Sequence, residues 1–170
     1  MTLANTLMIG AGVIALAAAA PLLLPSKVQI ERSAIVQAAP AEILALAASN
    51  QGYQRFNPYL TADPELKIEP FGPASGLGSG FRFEGKDGTG TQTVSQVTDE
   101  MVVYDIDMGP MGQPVQRIRV RPVESGTEVT WTLDADMGMN PIARVFGLFM
   151  DGMMGKTFIQ GLNNLAEATA

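Results

Sequence analysis

NPIARVFGLFMDGMMGKTFIQGLNNLAE, residues 140–167, is the single long helical pattern after an apolar N-terminus. Asn140 is a good N-cap, and Pro141 suits the first helical position, where its missing N–H costs nothing. At roughly 100° per residue, Ile142, Val145, Phe146, Phe149, Met150 and Met153 share one face. Met154, Phe158, Leu162 and Leu165 share another, offset by roughly 130°. A straight helix cannot press both stripes on one flat sheet. A kink is therefore expected within residues 151–156, where Gly152 and Gly155 weaken the helix, leaving the first half as a separate lid. The competing reading is a continuous helix covered on two sides by its own domain.

Composition narrows the rest. Eleven Lys and Arg against seventeen Asp and Glu give a net charge of −6, which argues against nucleic acid as a partner, because phosphate neutralisation needs clustered cations. The chain has no Cys and no His. That excludes disulfides, thiol nucleophiles, His-based triads and most transition-metal sites, and no cofactor is expected. Residues 3–24 carry no ionisable side chain. As a helix they would span roughly 33 Å, enough for a hydrocarbon core of about 30 Å. The expected division is an anchor at 1–25 and one domain at 26–170. A cleaved signal peptide is the rival, but a basic n-region is lacking ahead of the small-residue run Ala17, Ala18, Ala19, Ala20. Lys27 and Arg32 after the span slightly favour a cytoplasmic domain on a single-pass membrane protein.

Residues 26–36, SKVQIERSAIV, alternate as a first strand does. Pro40 opens a short apolar helix, and YQRFNPYL supplies a second helical piece ended by Pro58. Six further strand candidates follow at 66–71, 80–85, 90–98, 101–108, 115–122 and 128–136, separated by turn residues. Val102, Tyr104, Ile106 and Met108 share one face, as do Ile118 with Val120, Val129 with Trp131 and Leu133, and Phe81 with Phe83. Arg117, Arg119 and Arg121 fall on the opposite side, where a solvated ladder beside Asp105 and Asp107 is expected over an anion site.

The stretches LLPSKVQIERSAIVQAAPAEILALAAS, NPYL, SGTEVTWTLDADM and MDGMMGKTFIQGLNNLAE together resemble the SRPBCC superfamily, specifically its membrane-anchored polyketide cyclase/dehydrase-like branch. The resemblance implies an α+β, START-like helix-grip fold. A curved antiparallel sheet of about seven strands would surround the long C-terminal helix and leave an apolar cavity, preceded by one N-terminal transmembrane helix. It implies no single reaction, since carriers, ligand binders and aromatic cyclases share the fold. Tyr53 and Phe56 stand where the family usually has tryptophans, which bears on ligand shape.

The expected lining is Phe81, Phe83, Tyr104, Ile106, Met108, Ile118, Val120, Trp131, Leu133, Phe146, Phe149, Met150 and Met153. Each has an alternative reading as plain core. Ten methionines, five of them at 137, 139, 150, 153 and 154, suit a loosely specified apolar ligand. Tyr59, Arg82, Tyr104 and Arg144 could orient it. Gly76-Leu77-Gly78-Ser79-Gly80 leads into a strand and not a helix, so it is a turn and not a phosphate loop. Asp134, Asp136 and Asp151 lack the surrounding ligands of a Ca²⁺ site. The favoured function is membrane-anchored binding or carriage of a hydrophobic small molecule or lipid. A cyclase- or dehydratase-like enzyme and an interaction module with a filled cavity are the alternatives.

Overall fold

The computed structural model describes residues 20–170, so the predicted membrane segment lies outside the described residues except for its last five. Seven antiparallel strands form one sheet: β1 (Lys27–Val36), β2 (Lys67–Phe71), β3 (Gly80–Gly85), β4 (Gly88–Val97), β5 (Met101–Asp107), β6 (Val115–Val123) and β7 (Gly126–Asp136). Their spatial order is β1-β7-β6-β5-β4-β3-β2. Short helices α1 (Pro40–Ala47), α2 (Asn50–Gln54) and α3 (Pro58–Ala62) follow β1, and α4 (Pro141–Ala168) closes the chain. This is the helix-grip arrangement, α+β in class.

Period-two alternation builds the inner face of the sheet. Ile30, Val36, Phe81, Val94, Val102, Tyr104, Ile106, Ile118, Val120, Val129, Trp131 and Leu133 form one core with Ile43, Leu44, Tyr53 and Phe56 of the short helices. Phe158, Leu162 and Leu165 of α4 close that core from above. Arg32 lies opposite Trp131 on the same inward row of edge strand β1. There it meets Asp151 of α4 through two bonds of 2.9 and 3.0 Å, tying the helix across the strand. An inward charge on an edge strand also discourages pairing with another sheet.

Four expectations change. Three short helices follow β1 instead of two, because the Asn57 side chain accepts from the Tyr59 N–H and Pro58 begins α3, where sequence had it ending a helix. Helix α4 is unbroken through residues 151–156, so the expected kink at Gly152 and Gly155 is absent. Only one stripe is buried, running through Gly147, Gly155, Phe158, Leu162 and Leu165. Glycine, not the large apolar stripe, faces β1 because the helix sits so close that a Cβ on Gly147 would lie 2.8 Å from Val28 and one on Gly155 2.0 Å from Arg32. The arginine ladder, finally, pairs with β7 and not β5. Register places Val103 opposite Arg117, while Arg117 bonds Asp134 and Arg121 bonds Glu128 at 2.7 Å.

The end of the predicted anchor is a 3-10 turn, Ala20–Leu23. Arg144 of α4 holds it by donating to the carbonyls of Leu22 and, at 2.9 Å, Leu24. Among the described residues, no helix is long and apolar enough to cross a membrane.

Candidate functional site

The inner face of the sheet is interrupted by polar side chains that converge beneath α2. Ser49 caps that helix by accepting from the Gly52 N–H at 3.1 Å. A Cβ on Gly52 would lie 2.4 Å from the Leu46 carbonyl, so glycine is needed to seat α2 on the end of α1. The glycine loop binds this corner: Asn50 donates to Ala74 O at 3.1 Å and Gly76 to Ala48 O at 2.9 Å. Positive φ at Gly76 and Gly78 turns the loop there. The result points Tyr53 into the core, 4.9 Å from Phe56, 5.4 Å from Phe81, 5.5 Å from Tyr104 and 6.2 Å from Trp131 between ring centres.

Gln116 Nε2 donates to the Tyr53 hydroxyl at 3.0 Å, and the Tyr104 hydroxyl donates to the Ala47 carbonyl at 2.8 Å. Four enclosed atoms find no partner among the described residues: Ser79 Oγ, Gln92 Nε2, Gln116 Oε1 and Trp131 Nε1. Each such orphan costs on the order of 1–3 kcal/mol, and four within one core suggest a site kept for something other than stability. A void of about 10 Å³ lies among Asn50, Tyr53, Ser79, Gln92 and Tyr104, room for roughly one water.

Burial pushes the Tyr53 phenol up to about 12, against the hydrogen bond from Gln116, which favours its ionised form. Burial also drives Tyr104 well up, and Tyr59 is raised by burial and then by Tyr53 and Asp87. Every buried polar side chain among the described residues is uncharged at neutral pH: Asn50, Asn57, Ser79, Gln92, Gln116, Thr127 and Thr132, with Tyr53 and Tyr104. Such a set can hold a carbonyl, hydroxyl or amide. It offers nothing that exchanges protons readily near neutrality.

The thirteen residues expected to line a cavity fall into three groups. Phe81, Tyr104, Ile106, Ile118, Val120, Trp131 and Leu133 are buried and packed together, so the space expected as a cavity is filled by side chains. Phe83, Met108 and Met150 are half-buried at the margin of that core. Phe146, Phe149 and Met153 are corrected: they sit on the outer side of α4, 51%, 62% and 57% exposed, because the glycine stripe takes the inner side. Of the polar candidates, Arg144 holds the Leu22 and Leu24 carbonyls and Arg82 is exposed. Asp134 is bonded to Gln29 and Arg117, and Asp151 to Arg32.

Sequence reasoning missed Gln92, Gln116 and Ser79 and connected Tyr53 with ligand shape but not with a polar cluster. The signal for the glutamines was present: Gln116 is two residues before Ile118 and Gln92 two before Val94, which puts both in phase with the apolar face. Ser79 carried no such signal, since it precedes its strand.

The family described as "Polyketide cyclase / dehydrase and lipid transport" matches residues 27–170. No curated protein matches the sequence. Among solved structures, truncated norcoclaurine synthase from Thalictrum flavum is similar at a TM-score of 0.63 and 12% identity, covering 83% of this chain and 92% of that one. The di-domain ARO/CYC BexL from the BE-7585A biosynthetic pathway is similar at 0.62 and 14% identity, over 85% of this chain and 50% of that one. Protein CV1439 from Chromobacterium violaceum is similar at 0.59 and 12% identity, over 86% and 98%. At these identities the likeness concerns the fold alone.

Proposed function

The chain belongs to the polyketide cyclase / dehydrase and lipid transport family, and from that membership we propose a membrane-tethered binder or carrier of a hydrophobic small molecule or lipid. The ligand's polar end would be taken by Tyr53, Gln92 and Gln116. The observation that carries this reading is an aromatic and aliphatic interior holding four unpartnered, uncharged hydrogen-bonding atoms. An apolar molecule with one oxygen or amide function is the chemical complement of that surface.

Entry requires the filled interior to open. The second half of α4 is pinned by Phe158, Leu162 and Leu165. Its first half rests on β1 through glycine contacts, the partly exposed Arg32–Asp151 pair and the half-buried Met150. Bonds of that kind break at lower cost than a packed core does. The first half is therefore the side from which a ligand enters, with the half-buried Phe83, Met108 and Met150 at the margin it uncovers. The apolar run at residues 3–19 supplies the tether and keeps the domain where such ligands partition.

A cyclase- or dehydratase-type reaction is the competing reading, favoured by the likeness to an ARO/CYC protein. Proton transfer would then fall to phenols such as Tyr53, whose upward shift to about 12 makes them poor acids and bases at neutral pH. Native mass spectrometry of the full chain, extracted in mild detergent from several hosts, tests the proposal. A bound apolar mass lost in Gln92→Leu supports carriage. Apo protein from every host would overturn it in favour of a module that uses only its surface.

A further inference from the structure

The outer face of α4 opposes the buried stripe and is apolar for three turns. Ile142 is 79% exposed, Phe146 51%, Phe149 62% and Met153 57%, with Met139 at 74% just before the helix and Leu148 at 57% beside it. At on the order of 100 Å² each, these six side chains exceed the few hundred Å² of apolar patch usual on a soluble monomer. Lys156 is the first cation along that face, one turn beyond Met153. The domain's own core takes the other side of the helix, so this apolar face has no cover among the described residues.

Where the N-terminus joins the domain decides what covers this face. Residues 1–19 carry no charged side chain and meet the domain at Ala20. The turn that follows is held on α4 by Arg144, within the same helical turns that carry Ile142 and Phe146. Leu23, 89% exposed, adds to the apolar surface at the junction. An apolar run long enough to enter a bilayer thus joins the domain at the N-terminal end of the helix that carries this apolar face. We infer that the first half of α4, with Met139 and Leu23, lies in the lipid interface and contacts acyl chains directly. The inference rests on the tether in the function proposed above but not on what the interior binds. It also places the weakly held half of α4 at the bilayer, so that a lipid-soluble ligand need not cross water.

The absence of cysteine makes the test direct. The full chain is reconstituted into phosphatidylcholine vesicles with a minor fraction of phosphatidylglycerol. An environment-sensitive fluorophore is attached at Phe149→Cys, and separately at Arg119→Cys on the outer face of the sheet. Expected at 149 are a blue-shifted emission, quenching by spin-labelled lipids several-fold stronger than at 119, and protection from aqueous iodide. Iodide quenching at 149 equal to that at 119, in protein that still floats with vesicles, keeps the tether and overturns the interfacial face. A blue-shifted probe that lipid quenchers do not reach also overturns it, because the N-terminal segment or a second copy then covers the helix. Failure of the full chain to float at all defeats the tether and this inference together.

Discussion

A Cβ on Gly161 would lie 2.4 Å from Cζ3 of Trp131, so helix α4 rests directly on the indole. The ring has nowhere to go: Phe158 stacks on it at 5.2 Å and Phe56 meets it edge-on at 5.7 Å. Gly161→Ala should therefore destabilise by about 1–3 kcal/mol through overpacking, more than offsetting its helix-propensity gain of about 1 kcal/mol. Trp131→Ala should cost about 3–5 kcal/mol. Urea melts check both. A loss below about 1 kcal/mol for Trp131→Ala would mean that the interior yields readily.

The same helix offers an internal control. Nothing lies within 4 Å of a Cβ built on Gly152, whereas on Gly155 it would be 2.0 Å from Arg32 Nη2. Gly152→Ala should stabilise by up to about 1 kcal/mol. Gly155→Ala should stabilise less, or destabilise, because Arg32 must swing away and release Asp151. Hydrogen bonding to Arg32 holds the Asp151 carboxyl below its usual range. Its contribution is thus present above the unfolded carboxyl range and lost as pH falls through the lowered value. Acid melts of Gly155→Ala should show a smaller dependence on pH than those of Gly152→Ala, and equal dependence would mean the pair survives the methyl group.

All three tyrosines have raised pKa values, Tyr53 reaching about 12. An unfolded phenol loses its proton near pH ~10, before the folded one does. Stability should thus be full below that pH and fall as pH rises from there through about 12. Ultraviolet tyrosinate absorbance should show no step in the native protein near pH ~10, then rise together with loss of helical circular dichroism. A step in folded protein would mark a phenol that water reaches.

Residues 20–25 belong energetically to the domain. Arg144 Nη1 bonds the Leu24 carbonyl at 2.9 Å and the Leu22 carbonyl besides. Removal of residues 1–19 should leave this intact. Removal of residues 1–25 should still give a folded domain, less stable by about 1 kcal/mol, because water replaces the lost carbonyls around a partly exposed arginine. Thermal melts of the two truncations in detergent would compare them, and identical midpoints would show that the turn adds nothing.

The strands were legible because β-branched alternation and turn glycines mark both their phase and their ends, and Gly80–Gly85 falls on the expected residues. Helix α4 was legible in extent, with Asn140 accepting from Ile142 and Ala143 at 2.9 and 3.2 Å, but its orientation was not. Hydropathy ranks Phe146 and Phe149 above Gly147 as core residues. How close the helix lies to the sheet is set in three dimensions by Gly147 and Gly155 against β1 and by Gly161 against Trp131, and no periodicity of apolar residues reports it. The partner of the arginines depended on register, which alternation alone leaves free between β5 and β7. The polar cluster was half legible: phase exposed Gln92 and Gln116, but only the fold brings Tyr53 from α2 to meet them.

Gln116 separates stability from binding. Its amide makes one hydrogen bond, to Tyr53 at 3.0 Å, while its own oxygen has no partner. Gln116→Leu makes an orphan of the Tyr53 hydroxyl but removes another, the Gln116 oxygen, each worth about 1–3 kcal/mol, and adds apolar contact. Urea stability should stay within about 1 kcal/mol of the parent. If the cluster holds the polar end of a ligand, the variant should retain much less of the co-purifying mass, and displacement of an apolar fluorescent probe should weaken. Gln116→Glu sharpens the test, since a carboxylate enclosed beside Tyr53 must be desolvated and should destabilise where leucine does not. Unchanged ligand retention in Gln116→Leu would remove the polar cluster from the binding role and leave it as a feature of the core. A large loss of stability in that variant would say the same, since the amide would then be needed for the fold itself.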